Sequence, residues 1–77
     1  MVFEKLRALL AEQLLLDPEE ITMDTDILQD LGADSLDVME VMMGLEEAFN
    51  LVIVDETLNE LHTVRDVVAF IEGLLAK

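Results

Sequence analysis

The sequence predicts a small all-α domain: a four-helix bundle of three longer helices and one short helix, with a long ordered loop between the first two helices. Apolar residues recur at helical spacing in separate segments of the 77-residue chain, as they do on amphipathic helices. A hydrophobic fraction of 53% supplies a packed core although the formal net charge is −14, because chains that stay disordered are far less apolar. The length permits one domain, spanning residues 1–77.

The first helix is predicted over residues 2–16. We expect it to end at Asp17-Pro18, because a residue before proline is driven out of the helical region and proline has no N–H to donate. The apolar residues that share one face of this helix are Phe3, Leu6, Leu10 and Leu14.

A long polar connection follows, over residues 17–34. Loops of more than about 12 to 15 residues are uncommon in compact domains and are usually functional or disordered. Here spaced apolar residues indicate an ordered loop that packs against the core. These anchors are Ile21, Ile27, Leu28 and Leu31.

The second helix is predicted over residues 35–49, with Asp34 or Ser35 as its N-cap and Asn50 as a left-handed stop. At about 100° per residue, five apolar side chains fall in one sector and form the core face. They are Val38, Val41, Met42, Leu45 and Phe49. Leu36 and Met43 point away from that sector.

A short β-branched run occupies residues 51–54. No second strand is available to pair with it, so we interpret it as a buried connector. A short third helix is expected to begin at Asp55 or Thr57 and to end at Leu61.

The last helix is predicted over residues 64–76, with Thr63 as its N-cap. It supplies the remaining core residues, which are Val67, Val68, Phe70, Ile71, Leu74 and Leu75.

Composition excludes several classes of function. The chain has 18 acidic residues against 4 basic ones. These are too few basic side chains to displace counterions from phosphates, so we exclude nucleic acid as a ligand. We expect partners with basic patches instead. The absence of cysteine favours a reducing compartment, the cytoplasm. Apolar runs fall short of the roughly 20 residues that span a bilayer, and charges interrupt the N-terminal segment. We therefore expect neither a membrane-inserted segment nor a signal peptide. The expected oligomeric state is a monomer.

Neither catalysis nor a metal site is predicted. A Ser-His-Asp arrangement would need Ser35 and the sole histidine, His62, to converge with a carboxylate, and Ser35 lacks the flanking glycines of a nucleophile elbow. Residues 24–26 begin like an EF-hand loop. Counted from Asp24, however, Gln29 stands where that loop needs its glycine and Ser35 where it needs its glutamate.

Ser35 has two interpretations on these grounds. Serine at the start of a helix is commonly an N-cap. Alternatively, its hydroxyl is exposed and carries a covalent anionic group, which the unpaired N–H groups and the positive end of the helix dipole would stabilise. The residues alone leave both open.

Motifs along nearly the whole chain resemble those of one protein family. In chain order they are Glu12-Gln13-Leu14, Leu28, the stretch from Asp30 to Asp37 that contains Asp34-Ser35-Leu36, Glu40, residues 45–49, Ile53 with Asp55-Glu56, and Thr63-Val64. Together they closely resemble the acyl carrier proteins of dissociated bacterial fatty acid synthesis. Length, acidity, absence of cysteine and helix order agree with that resemblance.

The resemblance implies a prosthetic group. In that family the serine of Asp-Ser-Leu receives 4′-phosphopantetheine from coenzyme A, and the terminal thiol carries the growing fatty acyl chain as a thioester. The matching serine is Ser35, between Asp34 and Leu36. The resemblance therefore favours covalent attachment over the capping interpretation and implies a carrier with no catalytic group of its own.

The resemblance also implies the partners. They are a phosphopantetheinyl transferase (the holo-acyl-carrier-protein synthase), ketoacyl synthases, reductases, a dehydratase and acyltransferases, which present basic patches to the second helix. The matching surface, called the docking face below, consists of Asp34, Leu36, Asp37, Glu40, Met43, Glu46 and Glu47. An apolar pair ringed by charge is typical of an interface core and its rim. The alternative is that Leu36 and Met43 are scattered surface residues.

By the same resemblance, the acyl chain enters a pocket between the second helix and the short third helix. The candidate lining residues are Val38, Leu45, Leu58, Leu61 and Val67. The alternative is that these residues simply form the core.

Two other functions stay open. One is a carrier for a polyketide, peptide or other specialised pathway. The other, from a different class, is an unmodified acidic module that binds a basic protein surface.

Overall fold

The computed structural model describes residues 1–53 and 61–76 of the chain. It contains three α-helices, α1 (Val2–Leu14), α2 (Ser35–Phe49) and α3 (Val64–Leu75), and a 3₁₀ helix over Pro18–Glu20. These residues form no strand, and an isolated β-bridge joins Asp26 to Thr63. The all-α prediction is confirmed. The short helix predicted to end at Leu61 falls on residues 54–60, outside the described ranges.

The end of α1 differs from the prediction. The helix ends at Leu14, and Leu15 takes a left-handed conformation with φ 59° and ψ 46°. Both the Leu15 and Leu16 N–H groups donate to the Ala11 carbonyl, the second at 2.9 Å. This is a C-terminal turn that closes the helix before the proline is reached. Pro18 therefore begins the 3₁₀ helix rather than ending α1.

The loop between α1 and α2 is ordered, as predicted, but one of its anchors was assigned wrongly. Ile21 and Ile27 are buried and Leu31 is half-buried, whereas Leu28 is 44% exposed. The reason is a local turn in which the Asp26 carboxylate accepts the N–H of Leu28 at 3.0 Å. Such an aspartate-centred turn bends the backbone and leaves Leu28 on its outer side.

Backbone hydrogen bonds fasten the same loop to the start of α3. The Ile27 N–H donates to the His62 carbonyl at 2.9 Å, and the Val64 N–H donates to the Thr25 carbonyl at 2.9 Å. Thr25 is itself buried. The loop and the start of α3 are thus held as one layer, which explains how a connection of this length stays ordered without regular structure.

Helices α1 and α2 pack antiparallel and very close together. A Cβ atom built on Gly44 of α2 would lie 3.0 Å from a terminal methyl of Leu9 on α1, closer than side chains normally tolerate. At the other end of this contact, the Gln13 side-chain amide donates to the Asp37 carboxylate at 3.1 Å. The C-terminal end of α1 therefore lies beside the N-terminal end of α2.

The core draws on the three α-helices and on the loop between α1 and α2. Its completely enclosed side chains include Leu6, Leu10, Ile21, Leu45, Val64, Val67 and Ile71. On α2, Val41, Met42 and Leu45 are buried as predicted, while Val38 and Phe49 are only half-buried.

Besides Leu28, two residues predicted to be buried are exposed. Leu75 is 42% exposed because the buried stripe of α3 ends at Ile71 and the last turn extends past the core. Val52 is 79% exposed in the connector after α2, where the next residue, Ile53, turns inward instead. Val54 lies outside the described ranges. Of the helices described, none combines the length and apolarity needed to cross a bilayer.

Candidate functional site

Ser35 is the first residue of α2, and its side chain is exposed. The N-cap is Asp34, whose carboxylate accepts the Asp37 N–H at 3.0 Å. The Asp37 carboxylate in turn accepts the Asp34 N–H at 3.2 Å, which completes a reciprocal capping box. The capping interpretation of Ser35 is therefore wrong. Within the described ranges its hydroxyl has no hydrogen-bond partner, and it is the only serine of the chain.

The turn before α2 sets where Ser35 lies. Gly32 has a φ of 70°, a left-handed conformation that glycine adopts without steric penalty. Ala33 is 6% exposed and its N–H donates to the Ile27 carbonyl at 3.3 Å. The chain is thus anchored at Ala33 and emerges at Ser35, two residues later.

The first turn of α2 leaves N–H groups without acceptors. Among the contacts of the described residues, the amides of Ser35 and Leu36 donate to no carbonyl or carboxylate. Such amides and the helix dipole favour a negative charge at this end. An exposed hydroxyl beside them is chemically suited to hold a phosphodiester, so the residues present fit a phosphopantetheine group.

Asp37, assigned by the sequence to the predicted docking face, also has a structural role. The Gln13 amide and the Asp34 N–H both donate to this carboxylate and hold the pKa of Asp37 below its usual 3.8. The side chain is half-buried between α1 and α2. Gln13 belongs to the family motif in α1, but nothing in the spacing of the sequence places it opposite Asp37.

The apolar centre of the predicted docking face is exposed. Leu36 is 68% exposed and Met43 is 58% exposed. Glu40 and Glu47 are exposed beside them. Met39 is 49% exposed, an apolar contribution to this surface that the sequence interpretation did not assign.

Like Asp37, Glu46 of the predicted docking face is bound to the backbone of its own chain. It is half-buried, and its carboxylate accepts the Ile53 N–H at 2.8 Å. This bond ties the connector to the end of α2, where Asn50 takes the predicted left-handed conformation with φ 52°. Glu46 is therefore already engaged by the backbone of its own chain.

Among the described residues, the lysine and arginine side chains lie on α1 and α3. Helix α2 carries acidic residues and no lysine or arginine. Arg7 of α1 lies 5.0 Å from the centre of the Phe3 ring. Arg65 of α3 forms an ion pair with Asp24 at 2.7 Å. The negative charge of α2 is therefore presented without a basic residue on the same helix.

The candidate pocket residues have different environments. Leu45 and Val67 are completely enclosed in one core cluster, with Val38 and Leu61 half-buried against it. Leu58 lies outside the described ranges. A depression of about 380 Å³ lies elsewhere, beside the loop that follows α1. It is lined by Leu16, Glu20, Thr25, Asp30 and Leu31.

Acidic residues of the loop bind partners within the chain. Asp26 accepts loop N–H groups, and Asp24 pairs with Arg65. Within residues 1–53 and 61–76, no three acidic or histidine side chains converge to hold a metal ion.

Comparisons with known proteins found a family model and several relatives. Residues 4–71 match the family model described as phosphopantetheine attachment site. The chain is 51% identical over 76 residues to an acyl carrier protein of Phytoplasma australiense, with 99% of this chain and 100% of the relative covered. It is 51% identical over 71 residues to the acyl carrier protein of Onion yellows phytoplasma, covering 92% of this chain and 93% of that one. It is 47% identical over 73 residues to the acyl carrier protein of Campylobacter hominis, covering 95% and 92% of the two chains.

Replacement of the two candidate caps will separate their roles. We expect Asp34→Ala to lower the free energy of unfolding by about 1 kcal/mol, because it removes the N-cap of α2. Ser35→Ala is expected to change that free energy by less than about 0.5 kcal/mol. Urea unfolding followed by circular dichroism, in enough salt to screen the change in charge, measures both. An equal loss in Ser35→Ala would assign the cap to serine.

Removal of the Gln13 amide is expected to raise the pKa of Asp37 towards 3.8. Because the folded pKa of Asp37 lies below its unfolded value, this carboxylate stabilises the fold above about pH 4, and the contribution is lost as the pH falls through the folded pKa. An NMR titration of the carboxyl carbons in Gln13→Ala measures the change. Asp66 is the internal control, because N–H groups of Thr63 and His62 lower its pKa without Gln13. An unchanged Asp37 pKa would show that Gln13 is not the cause.

Proposed function

The chain belongs to the acyl carrier protein family, and from this we propose that it carries growing fatty acyl chains as thioesters on a 4′-phosphopantetheine arm attached to Ser35. Its task is to deliver those chains to the enzymes of fatty acid synthesis. Proteins of this family carry cargo and do not catalyse its chemistry, and the match to the phosphopantetheine attachment domain covers residues 4–71. The assignment of the arm to Ser35, and of the pathway to fatty acid synthesis, is the proposal.

One observation supports Ser35 above all. Asp34 caps α2, so the serine hydroxyl is exposed and free of any structural bond among the described contacts. A modification at this oxygen removes nothing that the fold requires. No other serine is available to receive the group.

In the attachment of phosphopantetheine, the chain supplies the hydroxyl and the transferase supplies the base. The Ser35 oxygen forms a bond to phosphorus while the phosphorus–oxygen bond to the adenosine bisphosphate part of coenzyme A breaks, and the hydroxyl proton passes to a base of the transferase. When bound, the arm supplies the thiol that forms the thioester. The chain's own contribution is to hold Ser35 at a helix start, where the N–H groups of Ser35 and Leu36 and the helix dipole would stabilise the new negative charge.

The docking face supports delivery to enzymes with basic surfaces. Leu36 and Met43 supply an apolar centre, and Glu40 and Glu47 supply charge that is exposed. Exposed charges of this kind chiefly set orientation and the rate of association. The proposed partners are the transferase and the synthases, reductases, dehydratase and acyltransferases of the pathway. Asp37 and Glu46 contribute charge while bonded to their own chain.

The cargo is proposed to lie against Val38, Leu45, Leu61 and Val67, together with Leu58. The core there is aliphatic, and Met42 of α2 is buried in it. Methionine adapts its shape to irregular spaces, which favours admission of a flexible chain. We propose that the protein acts in the cytoplasm, because the absence of cysteine favours a reducing compartment.

Two alternatives share the same surface. A carrier for a polyketide, peptide or other specialised pathway would use the same serine and arm with different cargo. An unmodified acidic module would use only the exposed Leu36 and Met43 with their surrounding charges, and would leave Ser35 unchanged.

Incubation with coenzyme A and a broad-specificity phosphopantetheinyl transferase is expected to add one phosphopantetheine to the chain. Intact-mass spectrometry measures the addition, and fragmentation locates it on Ser35. Ser35→Ala is expected to receive none while keeping its helical circular dichroism. An unmodified chain after treatment would favour the acidic interaction module, and modification of the Ser35→Ala variant would place the arm elsewhere.

Charge reversal on the docking face is expected to weaken capture by a ketoacyl synthase. Glu40→Lys places a positive charge against a basic patch, and we expect about a threefold to tenfold loss of affinity, chiefly from slower association. Glu72→Lys is the matched control, because it changes the net charge equally at an exposed position on α3. Surface plasmon resonance with the loaded carrier measures both variants. Equal losses would indicate a general charge effect and would remove Glu40 from the interface.

A further inference from the structure

Helix α2 carries three methionines, and the structure divides them between solvent and core. Met39 is 49% exposed and Met43 is 58% exposed, whereas Met42 is 3% exposed. Met39 and Met43 are four positions apart and therefore lie on the same face of the helix. Met42 lies about 100° away from Met43 around the helix axis and belongs to the core cluster. Two thioethers of α2 are thus open to small solutes, and the third is protected.

The exposed thioethers are chemically reactive groups. The chain has five methionines and no cysteine, so all the sulfur of the unmodified protein is thioether. Oxidation converts methionine to its sulfoxide, which replaces a flexible apolar group with a polar one. Because the oxidant has to contact the sulfur atom, exposure decides the order in which methionines react. Met39 and Met43 are therefore expected to react before Met42.

The charge around Met39 and Met43 favours an uncharged oxidant. Glu40 and Glu47 are exposed on the same helix, and α2 carries no basic residue. The formal net charge of the chain is −14. Such a field lowers the local concentration of anions. Hydrogen peroxide is uncharged at neutral pH and is not repelled in this way.

Oxidation at these two positions would change the docking face and leave the core intact. Met43 belongs to the apolar centre of that face with Leu36, and Met39 adds to it. A sulfoxide covered by a partner's apolar surface would lose its hydrogen bonds to water, which costs binding free energy. Met42, whose oxidation would place a polar group inside the core, is protected by burial.

We propose that Met39 and Met43 are sites of reversible oxidation by hydrogen peroxide, and that their oxidation weakens the binding of partner enzymes to the docking face while the fold persists. The second part rests on the proposed function, since it needs the docking face to be an interface. The carrier would then be withdrawn from its enzymes under oxidising conditions and returned to them by reduction.

The reaction is balanced in both directions. The methionine sulfur forms a bond to one peroxide oxygen as the O–O bond breaks, and the other oxygen leaves as water with both protons. Sulfur is oxidised by two electrons and the peroxide is reduced. Methionine sulfoxide reductases reverse the step: the sulfoxide oxygen leaves as water, and a dithiol supplies the two electrons and becomes a disulfide.

Timed peroxide treatment of the full-length, unmodified chain tests the order of oxidation. We expect Met39 and Met43 to be oxidised at least about fivefold faster than Met42 in the folded chain. Urea is expected to remove the difference. Digestion by a glutamate-specific protease separates Met39 from the other two at Glu40, and fragmentation in the mass spectrometer distinguishes Met42 from Met43. Equal rates for all three in the folded chain would overturn the proposal.

A chain that carries both Met39→Leu and Met43→Leu is the matched control. Leucine keeps the apolar character and nearly the volume of methionine but forms no sulfoxide. Met1, which is 89% exposed, and Met42 are both retained. An effect of oxidation at either of these methionines would therefore persist in the control.

Loading kinetics with coenzyme A and a phosphopantetheinyl transferase measure docking after the peroxide is removed. We expect oxidation to raise the KM for the original chain by about threefold to tenfold, with kcat unchanged because Ser35 keeps its position. Methionine sulfoxide reductase with dithiothreitol is expected to restore the KM. The control chain is expected to keep its KM within about twofold before and after peroxide, and both chains to keep their helical circular dichroism.

Several outcomes would contradict the effect on docking. An unchanged KM after complete oxidation of Met39 and Met43 would show that the partner does not cover them. Equal rises in KM for the original and control chains would assign the effect to another methionine. Loss of helical circular dichroism on oxidation would show that the fold does not persist. Failure of the untreated chain to be loaded would instead contradict the proposed function, and the order of oxidation would still decide the first part of the proposal.

Discussion

The site depends on the capping box at the start of α2. Asp34 and Asp37 each accept the backbone N–H of the other, and this reciprocal pair satisfies donors that would otherwise lack partners at the helix terminus. Because the two aspartates take this role, the serine between them has none. The same bonds fix the direction of α2 and, through Gln13, its alignment with α1. The Ser35 hydroxyl is therefore exposed and rigidly placed, because Asp34 and Asp37 cap the helix in its stead.

A chain with 18 acidic residues and 4 basic ones has to place much like charge on a small surface, and the structure divides its carboxylates into two groups. The first group accepts backbone N–H groups of other residues in the chain and thereby stabilises turns and helix starts. Its members include Asp26, Asp37, Glu46 and Asp66. Glu40 and Glu47 are exposed on α2. The first group stabilises the fold by hydrogen bonding, which offsets part of the repulsion. The second supplies the field that a basic partner would meet.

Local chemistry explains which parts of the structure could be predicted from the sequence. The start of α2, its end at Asn50 and the start of α3 at Thr63 follow from residues that cap helices by short-range bonds, and all were predicted. The exposure of Leu36 and Met43 followed from helical periodicity. The early end of α1 did not, because leucine at position 15 favours continuing the helix and only the closed turn at Ala11 overrides that preference. The bond from Glu46 to Ile53 was missed for a similar reason, since it depends on a backbone reversal that no spacing reveals. Leu28 was misassigned because its direction is set by Asp26 rather than by hydrophobicity.

The close approach of Gly44 to Leu9 restricts which residues can occupy position 44. A Cβ atom built on Gly44 would lie 3.0 Å from a Leu9 methyl, and the Gln13–Asp37 hydrogen bond joins the same two helices nearer the start of α2. A larger side chain at position 44 would have to displace the Leu9 side chain or push the two helices apart. The alignment of α1 with α2 therefore depends on the absence of a side chain at this point.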